Sequence, residues 1–94
     1  MNEWKGRPLV VDHQRNVDRE MLKTGMTTSG VIEVLENGVS PVKRKRGITE
    51  RWLRKGWQMT VVVIEDRGDY WLIRHVGRLG ITRRLSRMLG GGKA

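Results

Sequence analysis

The chain has 94 residues, the length of one small domain, which argues against two domains with separate cores. Its apolar fraction of 37% predicts a small core, and the absence of cysteine excludes disulfides, thiolate nucleophiles and cysteine-based zinc sites. A formal net charge of +9 predicts a polyanionic partner such as nucleic acid. A membrane surface, an acidic protein partner and simple solubility are the alternatives that this charge leaves open.

The apolar segments are short. None approaches the roughly 20 residues that a membrane-spanning helix needs, and the longest, residues 61–64, suits a buried strand. The first six residues lack the apolar core of a secretory signal. We therefore expect a cytoplasmic protein with no membrane span.

The first half of the chain predicts two helices joined by a short turn. Residues 1–12 have little periodicity and are expected to form an N-terminal extension or an edge strand. From Asn16, a candidate N-cap, the apolar spacing becomes helical until Gly25, which is typical of a helix C-terminus. Residues 27–29 offer N-caps for a second helix, and residues 37–38 end it.

The second half predicts strands. Residues 48–55 fit a helix or a strand, and their alternation favours a strand. Residues 57–65 are rich in β-branched side chains, residues 66–69 indicate a turn, and residues 70–76 complete an antiparallel hairpin. Simple alternation assigns the side chains of the last strand to two faces: Trp71, Ile73 and His75 to one, and Tyr70, Leu72, Arg74 and Val76 to the other.

A basic segment follows the hairpin. Gly77 and Gly80 interrupt the strand pattern, and apolar residues then recur at helical spacing among arginines. We expect residues 77–94 to form a basic C-terminal helix or tail that follows an α+β domain at residues 13–76.

The charge is concentrated in this second half. Residues 42–56 carry seven basic side chains against Glu50 alone, and residues 67–94 carry seven against Asp69 alone. No phosphate-cradling glycine motif or hydrolase motif is present, and the two histidines lack the spacing of a metal site, so we expect neither metal nor cofactor. Arginine, histidine and tryptophan can bind phosphates, stack on bases and cleave RNA without metal.

The order of the elements, two helices followed by a basic twisted sheet, resembles RelE-type ribonuclease toxins and the small uncharacterised domains grouped with them. The closest match is local: Asn16-Val17-x-x-Glu20-Met21-x-x-Thr24-Gly25-Met26-Thr27, followed by Val31-x-x-Val34-Leu35-Glu36-Asn37-Gly38. It is similar to the family pattern His-Ala-x-x-Arg-Met-x-x-Arg-Gly-Ile-Thr and Val-x-x-Val-Leu-x-x-Gly. The resemblance covers residues 13–76 and departs from the family at Asn16, at Glu20 and at the end of the last strand, where Arg74 and His75 replace a segment with threonine.

These patterns together predict one α+β domain. Two N-terminal helices are expected to pack on one face of a twisted antiparallel sheet of three or four strands, which leaves the other face for a ligand. The expected core is Val17, Met21, Val31, Leu35, Val61, Val63, Trp71 and either Leu72 or Ile73, with Trp57 as a further anchor.

The resemblance implies an RNA-binding domain with a metal-independent ribonuclease activity, for which His75 and Arg74 are the candidate catalytic residues. A packed strand histidine is the structural alternative for His75. A non-catalytic nucleic-acid-binding module, or an adaptor for an acidic partner such as a small antitoxin-like protein, is the alternative function, and a homodimer stays open. The expected nucleic-acid contacts are basic and aromatic: Lys43, Arg44, Lys45, Arg46, Arg51, Trp52, Arg54, Lys55, Arg83, Arg84 and Arg87.

Overall fold

The computed structural model describes residues 3–81, which form five strands, one short 3₁₀ turn and two helices. In chain order these are β1 (Glu3–Trp4), β2 (Arg7–Val11), the 3₁₀ turn (His13–Arg15), α1 (Val17–Thr24), α2 (Thr28–Asn37), β3 (Ile48–Lys55), β4 (Gln58–Asp66) and β5 (Trp71–Gly80). Within residues 3–81, no helix is long and apolar enough to cross a membrane.

The sheet is mixed and has the strand order β1-β2-β5-β4-β3. β2 pairs with β5 in parallel, and the other neighbours pair antiparallel. The prediction of an antiparallel sheet of three or four strands is therefore wrong. Two strands come from the first eleven residues, where Lys5 and Gly6, with φ values of 51° and 76°, make the tight turn between β1 and β2. A parallel pair needs a long crossover connection, and here α1, α2, β3 and β4 supply it.

The predicted helix boundaries are confirmed. Gly25 ends α1 in the left-handed conformation with a φ of 70°, and the Thr27 hydroxyl accepts the Gly30 N–H at 3.1 Å at the start of α2. Asn16 precedes α1 as predicted but makes no side-chain cap, because it adopts a left-handed φ of 57° as it leaves the 3₁₀ turn. There the Asp12 carboxylate accepts the Gln14 N–H instead.

Both helices cover one face of the sheet. The predicted core residues of this face are buried: Val17, Met21, Val31, Leu35, Trp71 and Ile73. Val61 and Val63 are also buried, but they lie in a second cluster on the opposite face with Met59 and Ile81. The exposed fraction of Trp57 is 62%, whereas Trp4 is buried with its ring 5.1 Å from that of Trp71. Trp4 therefore takes the anchoring role that the sequence assigned to Trp57.

An arginine fastens β2 to the turn between β4 and β5. The Arg7 guanidinium lies 3.6 Å from the Trp71 ring and donates to Asp66 at 2.7 Å and to the Gly68 carbonyl at 2.6 Å. The hydrogen bond from Arg7 lowers the pKa of the Asp66 carboxyl, and the Gly68 N–H lowers it further.

A bulge interrupts the pairing of β4 with β5. Ile64 pairs with Ile73 and Val63 with His75, so Arg74 is an extra residue on β5. The predicted alternation is therefore wrong beyond Ile73. His75 leaves the helix-covered face, and Val76 is buried there in its place. β5 also continues through both glycines to Gly80 rather than ending at Val76.

Candidate nucleic-acid interface

The face of the sheet opposite the helices contains a cavity of about 410 Å³. Its size is within the ~300–1,000 Å³ of small-molecule sites. Residues from the 3₁₀ turn, the loop before β3 and the three strands β3, β4 and β5 line it: Arg15, Arg44, Glu50, Trp52, Val61, Val63, Arg74, His75, Gly77 and Leu79.

Two rows of paired residues cross the cavity. In the first row, Val63 lies between Glu50 on β3 and His75 on β5. In the second row, Val61 lies in the same way between Trp52 and Gly77. The floor is therefore apolar, with polar side chains along both sides. Such an arrangement suits a ligand with a flat apolar part and a charged part.

The His75 imidazole is oriented by a carboxylate on α1. Its Nδ1 lies 3.1 Å from Glu20 Oε2, while Glu20 Oε1 accepts the Val76 N–H at 3.2 Å. A Cβ added to Gly77 would lie only 3.1 Å from His75 Nε2, which means that Nε2 lies over the glycine on the cavity floor. The imidazole side chain is half exposed, and it lines the cavity.

Three arginines line the cavity, and each of them has a carboxylate partner, although only one of those carboxylates, that of Glu50, lines the cavity itself. Arg74 lies 3.5 Å from Glu65, Arg44 donates to Glu50 at 3.0 Å, and Arg15 lies 3.2 Å from Asp12. A guanidinium has five N–H donors, so one carboxylate leaves each arginine able to contact a phosphate. The guanidinium N–H groups that these ion pairs leave unused are the donors that the cavity can offer to an anion.

Glu50 is the one buried charged residue among residues 3–81. Its Oε1 accepts from Arg44, and its Oε2 accepts from the indole Nε1 of Trp52. Burial of a carboxylate is costly without such partners. The two bonds therefore explain how it is tolerated in this wall.

The structure brings four of the predicted site residues together at the cavity: Arg44, Trp52, Arg74 and His75. Lys43, Lys45 and Arg46 are exposed in the loop before β3. Arg54 donates to the Gly56 carbonyl and lies 5.6 Å from the Trp57 ring. Arg83, Arg84 and Arg87 lie outside the described residues.

Arg51 and Lys55 lie on the other face of the sheet. The Arg51 guanidinium donates to the Leu35 carbonyl at the end of α2, and Lys55 pairs with Glu33 on α2 at 2.8 Å. Alternation along β3 explains this division, since the side chains of odd-numbered and even-numbered residues lie on opposite faces of the sheet.

Four cavity-related residues were not identified from the sequence: Arg15, Glu20, Glu50 and Gly77. Glu20 had one signal in the sequence, because it is a carboxylate where the pattern compared above has an arginine. Arg15, Glu50 and Gly77 are brought to the cavity by the tertiary fold, which no local sequence pattern indicates. Within residues 3–81, no group of three or more histidine, aspartate or glutamate side chains is close enough together to bind a metal ion.

Comparisons with protein-family models, with curated proteins and with solved structures found no match to this chain. The cavity geometry therefore carries the functional argument.

Proposed function

We propose that the protein binds single-stranded RNA across the open face of the sheet and cleaves it without a metal ion. The observation that carries the proposal is the Glu20–His75 pair beside Arg74 in an arginine-lined cavity. A histidine oriented by a carboxylate, in a cavity that arginines also line, supplies a base and cations for phosphodiester cleavage. The resemblance to RelE-type ribonuclease toxins supports the same reaction class.

His75 acts as the base in this reaction. With its proton on Nδ1, where Glu20 accepts it, the neutral imidazole has a lone pair on Nε2. Nε2 takes the proton of a ribose 2′-hydroxyl, and the 2′ oxygen forms a bond to phosphorus. The bond between phosphorus and the 5′ oxygen then breaks, and that oxygen takes a proton from solvent. The products are a 2′,3′-cyclic phosphate and a 5′-hydroxyl.

The arginines supply the electrostatic part. Negative charge accumulates on the phosphoryl oxygens as the 2′ oxygen attacks, and fixed cations stabilise that charge. Arg74 is the nearest in sequence to His75, and Arg15 and Arg44 line the same cavity. Outside the cavity, the basic loop before β3 extends the positive surface for neighbouring phosphates. Arg83, Arg84 and Arg87 are proposed to add to it.

A cleavage assay with matched histidine variants tests the proposal. Synthetic single-stranded RNA is incubated with the full chain in EDTA, and the product ends are analysed. We expect cyclic phosphate ends, no cleavage of the DNA analogue, and a loss of roughly 10²–10⁴-fold in rate for His75→Asn. His13→Asn is the control, because the His13 side chain is 77% exposed and lies outside the cavity lining.

Two results would count against this function. Salt-sensitive RNA binding without cleavage would refute the ribonuclease activity and favour the non-catalytic nucleic-acid-binding module. Absence of RNA binding altogether would refute both and leave an acidic protein as the partner to test.

A further inference from the structure

We propose that Glu50 gives the cavity a preference for guanine, by accepting hydrogen bonds from the N1–H and N2–H groups of one unstacked base. The proposal rests on the proposed RNA-binding function and adds the identity of the nucleotide that the cavity accepts. It places the base at the β3 side of the cavity and the ribose at the His75 side.

The acceptor capacity of Glu50 is the first argument. An ionised carboxylate has about four lone-pair sites, two on each oxygen. Arg44 and Trp52 each occupy one site on a different oxygen. One site on each oxygen is then left for a ligand, and Glu50 lines the cavity where such a ligand would lie. The carboxylate thus has the capacity to accept two further hydrogen bonds, one on each oxygen.

The chemistry of the bases then selects guanine. Its Watson–Crick edge has two adjacent donors, N1–H and N2–H, whose spacing matches the two oxygens of a carboxylate. Adenine and cytosine each have one amino donor next to a ring acceptor, which a carboxylate repels. Uracil has one N–H between two carbonyl oxygens. A bidentate base contact gives roughly tenfold discrimination or more, and the low exposure of Glu50 strengthens such bonds.

The position of Glu50 relative to His75 supports the same assignment. The two residues are at opposite ends of one row, with Val63 between them. Because neighbouring strands are ~4.8 Å apart, their backbones are separated by about 10 Å. One nucleotide, with its base on the apolar floor beside Trp52, can extend from Glu50 to His75 and bring its own 2′-hydroxyl to the imidazole. Cleavage is therefore expected on the 3′ side of guanine.

Nucleotide binding provides the test. Guanosine, adenosine, cytidine, uridine and inosine 3′-monophosphates are titrated into the full chain by calorimetry at one fixed salt concentration. We expect the guanosine nucleotide to bind roughly tenfold tighter than the others, and inosine, which lacks only the N2 amino group, to be intermediate. In Glu50→Gln, which puts an amide donor against the base, this preference should fall to less than about threefold.

Two control variants isolate the role of Glu50. Glu36→Gln makes the same chemical change on an exposed position of α2 and should keep the preference. His75→Asn should abolish cleavage and keep the guanine preference. Should Glu50→Gln fail to fold, the inosine comparison on the unmodified chain still tests recognition of the N2 amino group, and equal binding of the guanosine and inosine nucleotides would overturn the inference.

The outcomes separate this inference from the function on which it rests. Nucleotide and RNA binding with no guanine preference would overturn the role of Glu50 and leave the proposed function standing. A guanine preference that persists in Glu50→Gln would assign base selection to other residues and would also overturn the inference. Absence of binding to every nucleotide and to RNA would overturn both.

Discussion

Replacing Glu20 with glutamine should separate catalysis from folding. The carboxylate has two partners, the Val76 N–H at 3.2 Å and His75 Nδ1 at 3.1 Å. A glutamine amide oxygen can still accept the Val76 N–H, but its amide nitrogen is then directed at the imidazole. That nitrogen is a donor, so His75 must accept at Nδ1 and carry its proton on Nε2. The base of the proposed reaction is lost, while the fold keeps its hydrogen bond.

The expected magnitudes differ widely between the two effects. Exchanging a charged acceptor for a neutral one weakens the Val76 bond by about 1 kcal/mol, and the pair with His75 is partly exposed and adds little. In a domain of this size, that loss lowers Tm by about 4–8 °C. Cleavage should fall far more, by roughly 10²–10⁴-fold, as expected when an acid–base group is lost.

Parallel thermal unfolding and RNA cleavage assays measure both effects. Asp18→Asn is the control, since Asp18 is the other acidic residue in the first turn of α1 and lies 3.7 Å from the exposed His13; it should lower Tm slightly through the loss of that charge and leave cleavage unchanged. Cleavage that stays within threefold of the unmodified chain, while Tm falls as expected, would refute the catalytic reasoning. Glu20 would then serve only to cap the edge of β5.

Three further predictions concern stability and charge. Gly38→Ala should destabilise the fold by about 3 kcal/mol or more, because the added Cβ would lie 2.5 Å and 2.8 Å from two backbone carbonyl oxygens; chemical denaturation measures this. The hydrogen bond from Arg7 lowers the pKa of the Asp66 carboxyl below its usual value of 3.8. The unmodified chain should therefore be more stable than Asp66→Asn above pH 3.8, and this difference in the free energy of unfolding should disappear as the pH falls through the lowered pKa. Replacing the exposed basic residues of the loop before β3 with glutamine should reduce the slope of log K for RNA binding against log salt concentration by about 2 and leave Tm unchanged. An unchanged slope would show that the loop does not contact RNA phosphates. The three residues replaced are Lys43, Lys45 and Arg46.

The helices and the long hairpin were predictable because their signals are local. Gly25 and Thr27 end and begin helices through contacts within four residues, and apolar spacing marks the buried side of each helix. β1 was not predictable, since two residues are too few to show an alternation. It is held by distant contacts, such as the bond from the Trp71 indole to the Trp4 carbonyl. A strand of that kind is defined by its partners, and its own sequence carries little information about it.

The basic run of β3 shows where local charge is a poor guide to a site. Arg51, Arg54 and Lys55 are close in sequence, yet the pleat divides them between the two faces. Arg51 holds the end of α2 and Lys55 holds α2 at Glu33, so both stabilise the helix layer. Charge density along the sequence does not give the face of each cation, because strand register decides which of them lie on the cavity side of the sheet.

The bulge at Arg74 explains why the candidate catalytic pair exists at all. In a regular strand, successive side chains point to opposite faces of the sheet, so an arginine and a histidine that are adjacent in sequence could not both line one cavity. The extra residue lets Arg74 and His75 both line the cavity and returns Val76 to the core. The same distortion presents the Val76 N–H to Glu20, which orients His75 through its other oxygen. One irregularity in the pairing of β4 with β5 therefore brings the cation and the imidazole to one cavity and leaves the Val76 N–H as a partner for the α1 carboxylate that contacts His75.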